Sequence, residues 1–211
     1  MGYYLFMDLP EGKREALNRA AKFFDLVPFA DFGVLSGSCA MGNARTDSDI
    51  DIIVGCRSGR VWTARFFTLL FSDFTGIRHK GGISKDKLCL SLFISEGGYR
   101  MNDPENDYER RLYPELKPLF GKGLDFFYKE NRGLVSDDFM SRKDLQVASE
   151  KLPFVGVMER ILGGAFGDRI EKRLRGIQYE KIKRHIGSLS GEGKMRIVLS
   201  GDRVETHFRV N

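Results

Sequence analysis

Apolar residues recur along the chain in two rhythms, one helical and one extended. From Glu11 to Leu26, Ala16, Leu17, Ala20, Ala21, Phe23 and Phe24 return at helical intervals among Lys and Arg, which predicts an amphipathic helix ended by "LVPF". Two apolar runs of strand length follow. "FGVLSG" closes at Gly37, and "DIDIIVGC" is apolar apart from Asp49 and Asp51. "RVWTARFFTLLFSDF", Arg60 to Phe74, has helical length and enough Phe and Leu to predict a largely buried crossover helix. After the loop "GIRHKGGISKD" comes "KLCLSLFIS", a third strand. "DPENDYERRLYPELKPLFG" and "GLDFFYKENRGL" predict helices separated by Pro and Gly breaks.

Beyond Val135 the pattern is helical until Gly187, and "KMRIVLSGDRVETHFRV" then alternates around Ser200 to Asp202, which predicts a terminal hairpin. The order predicts an α/β domain over residues 1–134 and a mainly helical extension over 135–211 that ends in the hairpin. With 42% hydrophobic and 30% charged residues, and no apolar run of bilayer length, a membrane-spanning protein is not expected. The opening residues turn charged too early for a secretory signal. Cys39, Cys56 and Cys89 are odd in number and lack metal-site spacing, which fits a reduced, cytoplasmic setting.

A net charge of +5 and a pI near 9.1 suit anionic partners. Much of that charge lies in one run, Arg169, Lys172, Arg173, Arg175, Lys181, Lys183 and Arg184, broken by Glu171 and Glu180. It reads as a solvated helix face or as a track for a nucleic-acid backbone or an acidic protein.

The segment "SGSCAMGNARTDSDIDIIV", Ser36 to Val54, carries the chemistry. Residues two apart on a strand share a face, so Asp49 and Asp51 project together while Ile50 and Ile52 enter the core. Two adjacent carboxylates repel, and a divalent cation relieves that repulsion. Mg²⁺ takes few carboxylates plus substrate phosphates, so both acids are candidate metal ligands and catalytic residues, with Mn²⁺ the alternative ion. Gly37 leaves room for a phosphate to approach the backbone, and Ser38 adds a hydroxyl and an N–H.

Gly37, Ser38, Gly42, Ala44, Arg45, Ser48, Asp49 and Asp51 together resemble the signature of the DNA polymerase beta-like nucleotidyltransferase superfamily, especially its minimal nucleotidyltransferases. The resemblance implies the nucleotidyltransferase fold, a small mixed sheet flanked by helices. It implies transfer of a nucleoside monophosphate from a nucleoside triphosphate, with ATP the expected nucleotide, to a small molecule, protein or RNA, on two Mg²⁺ ions. Gly37, Ser38, Arg45 and Ser48 would then bind the nucleotide. Members of this superfamily place a third carboxylate on the third strand, where this chain has Ser91; Asp86 and Glu96 are the nearest acids. The alternative is therefore a catalytically weak nucleotide-binding or protein-interaction module.

Other signals read as structural. "GSLSGEGKM", Gly187 to Met195, lacks the spacing of a phosphate loop. His79, His185 and His207 are scattered, Cys39 reads as a packed small residue, and Trp62 with the Phe-rich helix as core.

Overall fold

A computed structural model describes residues 9–78, 86–141, 147, 150–188 and 195–208. The chain is α/β, with a six-stranded mixed sheet in the order β4-β1-β2-β3-β6-β5 and helices around it. The first helix, α1 (Glu11–Phe23), buries Ala16, Leu17, Ala20 and Ala21 and runs into a 3₁₀ turn, Phe24–Leu26. Strand β1 (Ala30–Ser36) leads into a single helical turn, α2 (Gly37–Ala40), and then a loop to β2 (Ile50–Cys56). β1 and β2 pair antiparallel, whereas β2 and β3 (Leu88–Ile94) are parallel, so α3 (Val61–Thr75) is the crossover that parallel pairing demands.

The crossover helix packs on the core as its Trp62, Phe67, Leu69 and Phe71 suggest, but it buries polar residues as well and leaves one Phe in solvent. Trp62, Thr63, Arg65, Thr68 and Ser72 are buried, while Phe74 is 82% exposed. Thr68 and Ser72 can face inward because their hydroxyls donate to carbonyls of the same helix, Ala64 O at 2.8 Å and Leu69 O at 2.9 Å.

A second difference lies in "DPENDYERRLYPELKPLFG". Helix α4 (Asp107–Leu112) stops at a 3₁₀ turn through Pro114, and Lys117–Gly121 is a strand, β4, paired antiparallel with β1. Pro118 is tolerated because β4 is the sheet edge, where a missing N–H leaves no ladder bond broken. Its buried Leu119 and Phe120 close the core against Phe24, whose ring stacks on Phe120 at 4.7 Å.

Helices α5 (Leu124–Glu130), α6 (Asp138–Ser141), α7 (Pro153–Ile161) and α8 (Ala165–Ser188) follow, then β5 (Met195–Leu199) and β6 (Arg203–Phe208). β5 pairs antiparallel with β6, and β6 with β3, so the sheet continues across residue 134. Helix α8 also joins this body. Glu171 accepts from the Trp62 N–H (2.9 Å), the Thr63 N–H (2.8 Å) and the Thr63 hydroxyl (2.6 Å), serving orphan donors at the start of α3. Gln178 accepts from Arg65 (2.6 Å) and donates to the Trp62 carbonyl (2.8 Å).

Candidate metal and phosphate site

The site forms where β1 ends and β2 begins. Antiparallel register sets Ser36 opposite Asp51, and parallel register sets Cys89 of β3 beside Asp51. Asp49 stands one residue before β2. Ligand atoms of Asp49, Asp51 and Cys89 all lie within 4.8 Å of one another. Gly37 adopts φ +64°, and a Cβ there would collide with the Asp51 carboxylate, so glycine is required both by conformation and by the approach of that acid.

Cys89 is the residue that sequence reasoning missed. Burial pushes its thiol far above the ordinary range, and the charge of Asp51, a hydrogen bond to Asp51 and the charge of Asp49 push it further; a hydrogen bond with Ser91 works the other way. Ser91, the residue expected at the third-acid position, is two residues on and faces the adjacent cleft. The missed signal was the spacing itself, because Cys89 and Ser91 share a strand face.

Of the substitute acids, Asp86 makes an ion pair of 3.0 Å with Lys13, and Glu96 lines a second cleft with Asp31 and Arg57, beyond the opposite end of β3. Lys13 is almost fully buried and also donates to the Ser48 carbonyl, so α1 pins the loop that presents Asp49. Nothing in α1 distinguishes this lysine from its exposed neighbours until the loop folds onto it.

Ser38 follows Gly37 in α2 and is half-buried. Arg45 and Ser48 belong to the loop: the Ser48 hydroxyl accepts from the Arg45 N–H at 3.0 Å, while the exposed Arg45 guanidinium pairs with Asp47 at 3.2 Å. Cys39 is buried, its sulfur donating to the Asp49 carbonyl at 3.6 Å. Burial, less the effect of Lys13 and with that of Asp51 and Asp49, pushes its thiol up to about 11.

A cleft of about 90 Å³ opens beside Asp51, lined by Ser36, Gly37, Ser91, Glu109, Arg196 and Glu205 among others. Its wall is a charge network brought together by α4, β5 and β6. Arg196 pairs with Glu109 (3.1 Å) and Glu205 (3.4 Å), and Arg203 pairs with Glu205 (2.8 Å). Both glutamates are buried, and pairing offsets the cost of their desolvation. No short sequence motif announces this wall, since its members are separated by up to about a hundred residues.

The donor set can be tested against the ion expected from the sequence. Two carboxylates beside an open cleft fit Mg²⁺, which leaves positions for phosphate and water. A thiol does not suit Mg²⁺; it favours Mn²⁺ less than Zn²⁺, because softer ions accept sulfur more readily.

Elsewhere, all seven basic residues of the run on α8 are exposed. His185 is exposed on the same helix, and Trp62 is buried with its indole N–H donating to the Ser200 carbonyl at 2.8 Å. His79, the His207 side chain and residues 189–194 of the Gly187–Met195 segment lie outside the described residues. Among the described residues, no helix is long and apolar enough to cross a membrane. Comparison with protein-family models, with curated proteins and with solved structures finds no match for this chain.

Proposed function

We propose that this chain is a metal-dependent nucleotidyltransferase, moving a nucleoside monophosphate from a nucleoside triphosphate, ATP in the first instance, to an acceptor hydroxyl on a small molecule, protein or RNA. One observation carries the reading: Asp49 and Asp51 converge within ligand distance, and the Asp51 carboxylate occupies the space that a side chain at Gly37 would fill. The element order supports the nucleotidyltransferase fold, with a helix, the Gly-Ser turn between β1 and β2, and a crossover to a parallel third strand.

A divalent ion bound there would polarise the phosphate and lower the pKa of the acceptor hydroxyl. Asp49 and Asp51 hold the charge that recruits such an ion, Gly37 and Ser38 give the phosphates an approach to main chain and hydroxyl, and Lys13 fixes the loop ahead of Asp49. In the transfer, the acceptor oxygen forms a bond to the α-phosphorus as the bond from that phosphorus to the bridging oxygen breaks. Pyrophosphate leaves with the electron pair, and the acceptor proton passes to solvent or a carboxylate.

Calorimetry with Mg²⁺ and a nonhydrolysable ATP analogue tests the reading. Each should raise the affinity of the other, by on the order of 10-fold. Equal nucleotide affinity in EDTA, with no loss in Asp49→Asn/Asp51→Asn, would refute it.

A second reading, a nucleotide-binding module with little turnover, is favoured by Ser91 at the position expected for a third acid and by the thiol of Cys89, rather than a carboxylate, beside Asp49 and Asp51. Metal-dependent pyrophosphate release across a panel of acceptors separates the two.

A further inference from the structure

The basic run divides once α8 is fixed in place. The helix is held by one side, through Glu171 against the start of α3, Gln178 against Arg65 and Trp62, and Leu174 and Ile182 packed on the core. At about 100° per residue, Arg169, Lys172, Arg173, Lys183 and Arg184 fall on the opposite side, within an arc of about 120°. Arg175 and Lys181 project to either side of that arc. The row from Arg169 to Arg184 is about 22 Å long at 1.5 Å per residue.

Helix physics alone does not favour this row. Arg169 repels Lys172 and Arg173 at spacings of three and four residues, and Glu180 is the single carboxylate of α8 on the arc. Among the described residues, none of the five basic side chains forms an ion pair. Arg184 Nε instead donates to the Glu180 carbonyl at 3.3 Å, and Lys183 rests 5.1 Å from the centre of the Tyr179 ring. At the edge of the arc, Phe166 and Ile177 are 55% and 57% exposed.

We propose that the outer face of α8 binds a single-stranded nucleic acid, its phosphodiester backbone along Arg169, Lys172, Arg173, Lys183 and Arg184 and its bases against Phe166 and Ile177. A cationic row beside an exposed aromatic ring, here Phe166, is the combination by which proteins hold single strands without reading sequence, and Ile177 extends the apolar surface next to it. A lipid surface is a poorer match, because a membrane-bound helix turns a broad apolar face to the bilayer, whereas Leu174 and Ile182 of α8 pack on the core and only Phe166 and Ile177 of its large apolar side chains remain exposed. This inference stands apart from the transferase reading, since it needs neither the acids nor a metal.

Fluorescence anisotropy with labelled oligouridylate and oligothymidylate of about 20 nucleotides, longer than a usual single-strand site, tests it. Five phosphate contacts predict a log–log salt slope of about −3.5, so affinity should fall about 100-fold between 50 and 200 mM salt. Lys172→Glu/Arg173→Glu/Lys183→Glu should flatten the slope to about −1.4 or less. Arg175→Gln/Lys181→Gln, off the arc, should leave it near −3.5. The two oligonucleotides should bind alike, because the row meets phosphates.

A wild-type slope shallower than about −1 overturns the proposal, whatever becomes of the triple variant. So does an off-arc variant that loses as much slope per charge as the on-arc one, since net charge alone would then account for binding. Tighter binding to duplex, a preference of about 10-fold for either oligonucleotide, or displacement by polyglutamate or phosphatidylserine vesicles at matched charge would each assign the face to another partner.

Discussion

Replacing Gly37 by Ala tests the central contact of the candidate site, and Gly42→Ala supplies the control that separates its two costs. Both glycines are left-handed, at φ +64° and +71°. A Cβ on Gly42 meets nothing within 4 Å, so that variant carries only the conformational penalty, about 1–2 kcal/mol. Gly37→Ala carries the same penalty and also drives a Cβ into the Asp51 carboxylate. Asp51 must leave its rotamer or β1 must shift, which adds about 1–3 kcal/mol. For a chain of this size, at about 2–4 °C per kcal/mol, Tm should fall by roughly 2–8 °C in Gly42→Ala and roughly 4–20 °C in Gly37→Ala. Scanning calorimetry with and without Mn²⁺ reads both effects. The ion should raise the Tm of wild type and Gly42→Ala, and raise that of Gly37→Ala less, because Asp51 is displaced. Equal Tm losses in the two variants, or an undiminished Mn²⁺ shift in Gly37→Ala, would show that Asp51 does not occupy the space above Gly37.

Three further outcomes are expected. Cys89→Asp should raise Mg²⁺ affinity relative to Zn²⁺ and Cys89→Ser should weaken Zn²⁺ most, as measured by competition with a chromophoric chelator; an unchanged order of ions would remove the thiol from the ligand set. Glu171→Ala strands the Trp62 and Thr63 N–H groups and should cost about 1–3 kcal/mol in urea unfolding, whereas a loss below about 0.5 kcal/mol would mean that solvent serves those donors equally well. The third concerns acid stability. Burial raises the pKa of Glu159, but the Phe29 N–H, Lys151 and Arg57 outweigh it, so the folded value is lowered. Its stabilisation is complete above the ordinary carboxylate range and is lost as pH falls through the lower folded value. Thermal melts from about pH 6 down to 3, spanning the ordinary Glu value near 4.3, should therefore show a smaller acid loss in Glu159→Gln than in wild type, and parallel curves would contradict that sign.

Local signals in the sequence determined much of the chain. Periodicity placed α1, β1, β2, α3 and β3, because each must present one apolar face or a short buried run whatever it packs against, and it marked the stretch beyond Val135 as helical without dividing it. The spacing of Asp49 and Asp51 likewise forces the two acids together, since residues two apart on an extended chain share a side. Tertiary structure decided what that spacing could not express. It made a strand of Lys117–Gly121, which pattern reading joins to a helix, because the free edge of β1 offered a partner that tolerates Pro118. It buried Thr63 and Arg65 of α3 beside Trp62, since α8 supplies Glu171 and Gln178 as partners for groups that would otherwise prefer water. It brought Cys89 to the acids through parallel register, buried Lys13 beneath the loop before Asp49, and assembled Glu109, Arg196 and Glu205 from distant segments. Register and long-range pairing depend on which chain segments meet, and a linear pattern records only the faces that are available to meet.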